Sequence, residues 1–420
     1  MSKVPLWYRL AWFLGRPPSL SQHQWKVLGL VAAVSFFEQY DIYLFSLNLK
    51  QIQDELLIAE ADLGFLGAIV RAGAFLSILL AIAADRVGRR VMLLVTVIGY
   101  TLFTGATALS PNAESFVVFQ FFARGFASAE VIIAAVVIAE EFAPEHRGWG
   151  IGALGALQGF GAGFAAIMYG FVEYLPYGWR SLYAIGLVPL LLIAYWRRAL
   201  PETERYQNIE HTHQPLLKPV AELFTSAPRR TYGLFAAVAG LALAGSSAGF
   251  FAPKYLQDVH GWTPANVAML TIIGGVFAII GNPLSGWLSD RFGRKPITIL
   301  FTTFLGLAGL AFYSVSGVLV PVLWTALIFF ILGSDVTTTS YSTELFPTRY
   351  RSTATGVRGL VSTLGAILAL SAISGLYLVF GSNWVAISVL CLVSLIAPVI
   401  VWLFLPETAG RKLEEISPDE

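Results

Sequence analysis

The sequence D-R-V-G-R-R at 85–90 recurs 205 positions later as D-R-F-G-R-K at 290–295. P-E-T at 201–203 returns at 406–408 with the same offset, and E-x-x-P at 141–144 returns at 344–347, offset by 203. Three separate motifs that keep one register predict two homologous halves. Parallel six-helix halves are one of the architectures that membrane transporters use.

The composition excludes several classes of protein. Hydrophobic residues make up 56% of the 420 residues and charged residues 13%, with a mean hydropathy of +0.69. Soluble domains carry about 25% charged residues, which is about twice this fraction, so the composition excludes a water-soluble enzyme. The 27 basic and 26 acidic residues nearly cancel, so no basic surface for nucleic acid is expected. The single cysteine, Cys391, excludes an intramolecular disulfide and a cysteine-based metal cluster.

Twelve apolar stretches are each long enough to cross a membrane, since a helix needs about 20 residues to span the ~30 Å hydrocarbon core. We predict spans at 27–48, 62–83, 91–109, 115–139, 149–171, 180–200, 231–252, 264–288, 297–315, 322–344, 354–380 and 383–405. The alternating short segments of a membrane β-barrel are missing from the sequence. The fold expected is an all-α membrane protein of two pseudo-symmetric six-helix bundles.

The basic residues predict the orientation in the membrane. If the N-terminus is cytoplasmic, 22 of the 27 basic residues fall on that side, 3 lie outside and 2 lie within spans. This asymmetry is what the positive-inside rule predicts. Both termini are therefore expected in the cytoplasm, and short loops without N-glycosylation sequons suggest a bacterial inner membrane.

The span positions divide the chain into five regions. We expect a cytoplasmic N-terminal segment at 1–26 with an interfacial helix, a first bundle at 27–200, a linker at 201–230, a second bundle at 231–405 and a tail at 406–420. Aromatic residues Trp7, Tyr8, Trp12 and Phe13 beside basic ones suggest that interfacial helix.

The repeated motifs resemble those of the major facilitator superfamily over nearly the whole chain. That family's G-x-x-x-D-R-x-G-R-R/K signature is complete from Gly286, whereas the first copy has Ala81 at the leading glycine. P-E-T-x-G-R-x-L-E-E-I at 406–416 and E-L-F-P-T-x-x-R at 344–351 are similar to the sugar-porter and metabolite–proton-symporter branch. The paired glutamines of hexose porters are replaced by Ser246-Ser247, so the resemblance does not extend to a sugar substrate.

Ionisable residues inside spans predict a proton pathway, because each costs at least about 2.5 kcal/mol at the bilayer centre. The candidates for proton coupling are Asp41, Glu38, Glu130 and Asp335. The resemblance implies that the Tyr40-Asp41 pair couples to protons. Alternation between a desolvated site and an arginine could load and release the proton, while a fixed pair of Asp41 with Arg71 or Arg124 is the structural alternative.

Two arginines within spans, Arg71 and Arg124, favour an anionic substrate because guanidinium binds carboxylate or phosphate in a bidentate way. The pseudo-symmetric acids Glu130 and Asp335 would instead favour a cation or a polyhydroxyl ligand. The predicted substrate-binding residues are Arg71, Arg124, Tyr40, Tyr43, Gln120, Gln158, Asn282, Thr338, Tyr341 and Arg358. For each uncharged one alone, a hydrogen bond between helices is the structural alternative.

The motif residues at the cytoplasmic side resemble the superfamily's gate network, whose salt bridges would break when the inner face opens. The predicted gate residues are Asp85, Arg86, Arg89, Glu141, Arg147, Asp290, Arg291, Arg294, Glu344 and Arg351. Gly155, Gly159 and Gly163 in the fifth span are expected to permit close helix approach.

The sequence thus predicts a proton-coupled symporter of a small organic solute, an organic anion or carboxylate, that works by alternating access as a monomer in a lipid bilayer. No catalytic residue, cofactor or metal site is expected, and no Walker motif occurs. A facilitative uniporter or exchanger of a sugar-like, phosphate or cationic solute, and a non-transporting receptor of the same fold, stay open as alternatives.

Overall fold

The computed structural model describes Pro5, Tyr8 and residues 17–198, 217–226, 228–347 and 351–411. The predicted interfacial helix lies outside these residues except for Tyr8, which packs edge-on against Trp25 with their ring centroids 4.9 Å apart. Most of the linker predicted at 201–230, including its P-E-T copy, and the tail beyond residue 411 also lie outside them.

Twelve helices of membrane-spanning length follow one another in the described part of the chain, which contains no β-strand. They are α1 Gln22–Leu47, α2 Glu60–Ala84, α3 Arg89–Ala108, α4 Ala113–Glu141, α5 His146–Tyr169, α6 Trp179–Arg197, α7 Pro228–Asp258, α8 Pro264–Phe292, α9 Arg294–Phe312, α10 Leu319–Glu344, α11 Thr353–Phe380 and α12 Asn383–Phe404. All twelve predicted spans are confirmed, as is the all-α class.

Large apolar side chains lie exposed along these helices, as expected where the solvent is lipid. Leu79, Leu102, Leu191, Ile279 and Leu368 each expose 60% or more of their surface. Such exposure on many helices is a liability in water. The protein is an integral, multi-pass membrane protein.

Local sequence fixes where the helices begin and end. Ser21 caps α1 through a reciprocal pair of bonds, in which Gln24 N donates to Ser21 Oγ and Ser21 N donates to Gln24 Oε1. Between α2 and α3 the chain turns at Gly88 (φ 110°), and between α8 and α9 it turns at Gly293 (φ 107°). Only glycine adopts such angles without strain, so both copies of the D-R-x-G-R motif need it.

Two compact units form, one from Met1–Leu57 and Ala72–His211, the other from Ile58–Arg71 and Thr212–Glu420. In the first unit α1 packs against α4, α5 and α6, and α3 packs against α4 and α6. Val34, Val97, Tyr100 and Leu190 belong to a cluster that these helices bury together.

Helix α2 contributes to both units. A 3₁₀ turn at Gly73–Phe75 interrupts it beside the boundary between Arg71 and Ala72. In the second unit its first part packs on α11, where a Cβ on Gly64 would come within 2.3 Å of the Leu370 carbonyl oxygen. The Ile58–Arg71 segment comes from the first half of the sequence but lies in the second unit. The division of the chain at residues 200 and 230 therefore stays a prediction.

A buried lysine anchors the first turn of α2 within the second unit. Lys254 on α7 is only 2% exposed, and its Nζ lies 2.8 Å from Glu60 Oε1 and pairs with Asp258. Asn383 on α12 donates to Glu60 Oε2 at 2.8 Å. The first turn of α2 is thus tied to both α7 and α12.

One glycine brings α5 onto α1, and it is not among the three predicted from spacing. A Cβ on Gly161 would lie 1.9 Å from the Phe36 carbonyl oxygen, whereas Gly155, Gly159 and Gly163 have no atom within 4 Å of that position. The expectation that those three permit close approach was wrong. Their spacing of four selects one helix face, and Gly161 lies on another.

We expect Gly161→Ala to lower the free energy of unfolding by about 1–3 kcal/mol, because the added methyl group overlaps the α1 backbone. Its control is Gly159→Ala, two residues away, where the methyl group meets open space. That change should be neutral or stabilise the protein by up to about 1 kcal/mol through helix propensity. Unfolding in mixed detergent micelles measures both, and equal stability of the two variants would contradict the assignment.

Candidate functional site

The first unit places two acids of α1 side by side, and one arginine lies near them. Glu38 is 4% exposed and Asp41 is 6% exposed. Gln158 on α5 donates to Glu38 Oε2 at 2.8 Å, and Arg124 Nη1 on α4 lies 3.9 Å from Glu38 Oε1. The structure thus brings together four predicted site residues from three helices.

The carboxyl group of Asp41 is the least satisfied charge of this cluster. Its Oδ1 is buried and makes no hydrogen bond to any described residue. Thr104 and Gln120 lie beside it, and Arg124 and Glu38 are the charges that act on it. Two buried carboxyl groups share one arginine, whose side chain is 22% exposed. This pocket of α1, α3, α4 and α5 therefore holds more acid than base.

Two of the predicted substrate ligands have structural bonds within the same unit. The Tyr40 hydroxyl is buried and donates to the Leu182 carbonyl oxygen of α6 at 2.8 Å. Gln120 Nε2 donates to Thr107 Oγ1 at 3.2 Å. Since each joins two helices, they position the acids on α1 and the helices around them.

Glu130 is held in a different environment from Asp41. It is completely buried, with Oε1 2.6 Å from Arg197 Nη1 and Oε2 accepting the Thr96 hydroxyl at 2.6 Å. Arg197 also donates to the carbonyl oxygens of Leu93 and Leu30. A charge pair with these supporting bonds joins α4 to α6 and α3.

Arg197 was not predicted as a functional or structural residue from the sequence, because it was counted among the basic residues on the cytoplasmic side. The residue lies in the last turn of α6 and is 2% exposed. The available signal was its position inside the span predicted at 180–200.

The second unit carries its own charged pair, on α10 and α11. Arg358 Nη2 pairs with Asp335 and also bonds to Thr338 Oγ1 at 3.1 Å. Arg358 is 9% exposed, whereas the Asp335 side chain is 61% exposed. Asp335 is therefore paired with an arginine, as its sequence counterpart Glu130 is, but Asp335 is accessible and Glu130 is buried.

The other predicted ligands are more scattered. Tyr341 is fully buried and donates to the Pro406 carbonyl oxygen at 3.2 Å, which ties α10 to the C-terminal P-E-T motif. Asn282 and Tyr43 are exposed, and Arg71 is half-buried in the part of α2 that belongs to the second unit.

The repeated D-R-x-G-R motif makes matching contacts in both units. Arg89 Nε lies 3.3 Å from Glu140 Oε1, and Arg294 Nη2 lies 2.8 Å from Glu344 Oε1. The first motif thus contacts Glu140, and the predicted gate residue Glu141 instead lies 3.2 Å from His23. Aligning the two E-x-x-P copies matches Glu344 with Glu141, 203 positions apart. The acid that makes the corresponding contact is Glu140, which lies 204 positions before Glu344.

The remaining predicted gate residues fix the ends of helices or lie at the surface. Arg147 Nε donates to the Phe142 carbonyl oxygen at 3.1 Å, and Arg351 Nε donates to that of Phe346 at 3.2 Å. Asp290 pairs with Arg294. Arg86 and Arg291 are exposed, and the Asp85 side chain lies outside the described residues.

The second P-E-T motif closes the start of α9. Glu407 Oε1 accepts the Arg294 N–H at 2.8 Å and Oε2 accepts the Lys295 N–H at 3.1 Å. Thr408 donates to Glu344 Oε2 at 2.6 Å. The Glu407 carboxylate accepts hydrogen bonds from amides that have no partner within α9, and its negative charge lies at the positive end of the helix dipole. The motif therefore acts as a helix cap.

The sequence profile of the Major Facilitator Superfamily matches residues 31–343. The chain belongs to the Major Facilitator Superfamily. This is a family of transporters rather than enzymes, as predicted.

Two bacterial relatives within the superfamily match most of the chain. The putative niacin/nicotinamide transporter NiaP of Bacillus subtilis is 23% identical over 409 residues, covering 96% of this chain and all of that protein. The cis,cis-muconate transport protein of Acinetobacter baylyi is 26% identical and covers 83% of this chain and 87% of its own.

Among solved superfamily structures, a D-xylose-proton symporter is similar, with a TM-score of 0.75. It is 19% identical and covers 92% of this chain and 99% of its own. The likeness shows the fold of twelve helices.

We expect Glu130→Gln to cost about 3–5 kcal/mol of unfolding free energy, because it leaves Arg197 buried without a counter-charge. Glu55→Gln breaks the exposed pair with Arg180 and should cost less than about 1 kcal/mol. The double variant Glu130→Leu with Arg197→Met should recover most of the lost stability. Unfolding in mixed micelles compares them, and a Glu130→Gln variant as stable as Glu55→Gln would refute a structural pair.

Proposed function

We propose that the protein is a proton-coupled symporter of an organic anion with a carboxylate group, which works by alternating access. The observation that carries this proposal is the buried Asp41 carboxyl group, whose Oδ1 has no hydrogen-bond partner among the described residues. A buried, unsatisfied acid is costly and marks a functional group in a membrane protein.

The single arginine of the cluster supports coupling between proton and anion. Arg124 is the cation acting on both Glu38 and Asp41, and its contact with Glu38 is long at 3.9 Å. Guanidinium has five donors, so Arg124 can bind a carboxylate in a bidentate way. A substrate anion that engages Arg124 withdraws the counter-charge from the two acids. The acids then take up a proton more readily, and the two ligands bind together.

The chemistry of the relatives supports a carboxylate. The two relatives above are named for niacin/nicotinamide and for cis,cis-muconate, and a further relative is the benzoate transport protein of Acinetobacter baylyi. Niacin, cis,cis-muconate and benzoate are small, planar, unsaturated acids, and nicotinamide is the amide of niacin. Tyr40, Phe37 and Phe164 pack together next to the acids of α1, which would suit such a ligand.

The distribution of basic residues supports a cytoplasmic location for both termini, and the bacterial relatives support the inner membrane. We expect the protein to act as a monomer, since each unit contains its own polar cluster. The contacts of Arg89 and Arg294 then lie on the cytoplasmic side, where they would favour the state in which that face is closed.

We expect Asp41→Asn to abolish accumulation of substrate against its gradient and to preserve counterflow exchange. The amide keeps the shape of the side chain but does not carry a proton through the cycle. The control is Asp54→Asn, since Asp54 is an exposed acid of the same unit that pairs with Lys50. Uptake into proteoliposomes with an imposed pH gradient, with and without a protonophore, measures both.

An Asp41→Asn variant that still accumulates substrate with the pH gradient would exclude the coupling role. Accumulation by the unmodified protein that ignores the protonophore would favour a uniporter or an exchanger.

We expect nicotinate, benzoate or muconate to raise the melting temperature of the purified protein, while xylose, phosphate and choline do not. A ligand at 100 times its Kd stabilises a protein by about 2.7 kcal/mol. Arg124→Gln should remove the shift, and the control Arg180→Gln, which alters the exposed pair with Glu55, should retain it. A shift by xylose or choline alone would refute the anionic substrate.

A further inference from the structure

A groove opens on the surface of the first unit between α5 and α6, and α1 forms its floor. Its volume is about 880 Å³. Small residues of α1, Gly29 and Ala33, line the floor, and Leu157 and Ile193 line the walls. Helices α5 and α6 both pack on α1 but barely contact each other, which leaves the gap.

The groove has the length of one leaflet of a bilayer. Its lining residues on α1 extend from Trp25 and Lys26 to Phe37. The eleven residue steps from Lys26 to Phe37 correspond to about 16 Å along the helix, about half of the ~30 Å hydrocarbon core. An acyl chain of one leaflet therefore matches its length.

Two cations border one end of this apolar groove. Lys26 is in the second turn of α1 and Arg198 follows the last turn of α6, and both are exposed. Neither forms an ion pair with any residue in the described part of the chain, and none of the lining residues is acidic. Arg90 Nη2 donates to the Arg198 carbonyl oxygen at 2.8 Å, which holds the end of α6 against the start of α3.

Aromatic side chains accompany these cations. Trp196 is 53% exposed and lines the groove together with Trp25 and Tyr195. Tryptophan and tyrosine are enriched where hydrocarbon meets headgroups. The end of the groove therefore has the composition of a membrane interface. The positive charges of Lys26 and Arg198 have no acidic partner there among the described residues.

In the second unit the residues at the two homologous positions carry no charge. Counted 205 positions on, Thr231 replaces Lys26 and Leu403 replaces Arg198. Thr231 is buried and donates to the Leu223 carbonyl oxygen of the short helix Leu217–Ser226, which packs on α7 and α11. The counterparts of Lys26 and Arg198 are thus uncharged, and the nearby basic residues of the second unit are Arg230 and Arg229, which donates to the Leu403 carbonyl oxygen at 3.0 Å.

We propose that this groove is a binding site for one anionic phospholipid, with its phosphate on Lys26 and Arg198 and an acyl chain along α1. Basic pockets between membrane helices suit anionic headgroups. The apolar floor selects a lipid over free phosphate, because phosphate alone leaves the groove unfilled. The site is separate from the acids of α1 and does not depend on the proposed transport activity.

Native mass spectrometry of the detergent-solubilised full chain tests the site. The protein is mixed with equal amounts of phosphatidylglycerol and phosphatidylcholine, and retained lipid is measured as the collision energy rises. We expect one phosphatidylglycerol to be retained preferentially, and Lys26→Gln with Arg198→Gln to reduce its retention at least tenfold. Ten millimolar inorganic phosphate should leave it unchanged.

The matched control is Arg229→Gln with Arg230→Gln, which removes two charges near the start of α7 in the second unit. It should retain the lipid as the unmodified chain does, and so should the charge-conserving pair Lys26→Arg with Arg198→Lys. Equal loss in the control would show general charge attraction and overturn the site. Equal retention of phosphatidylcholine, displacement by phosphate, or no retained lipid would also overturn it, the last indicating that a second copy or another segment of the chain covers the groove.

Discussion

The rest of the structure depends on the cost of placing a charge in hydrocarbon. Each ionisable side chain inside the twelve helices needs a partner there, and the partner decides what the residue does. Glu130 has a charged partner in Arg197 and accepts the Thr96 hydroxyl, and it joins three helices as a structural element. The Asp41 carboxyl group has a buried Oδ1 that accepts no hydrogen bond from any described residue, and this is the group to which we assign proton exchange.

Charges of the same type thus have different uses in the two homologous units. In the second unit Asp335 is accessible and paired with Arg358, while its counterpart Glu130 is sealed within the protein. Both units keep the helices and the contacts of the D-R-x-G-R motif. The charges inside the spans differ between the units: the first holds the acids to which we assign coupling, and the second holds a paired, accessible acid.

The number, order and limits of the helices were predictable from sequence, because long apolar segments and the repeat are local signals. Pairing between distant residues was not, as Arg197, Glu140 and Gly161 show. The apolar pattern marks Arg197 as the end of a span and does not reveal that it turns inward to Glu130. Spacing selected Gly155, Gly159 and Gly163, yet the helix that α5 contacts determines that Gly161 makes the close approach.

The division of α2 between the units has a consequence for dissecting the protein. A cut in the linker would leave the Ile58–Arg71 segment on the first fragment, although it packs within the second unit. The second fragment alone would lack the helix that covers Leu370 and one of the two acids that pair with the buried Lys254. We therefore expect the second half of the sequence to fold less well alone than when the first half is synthesised alongside it.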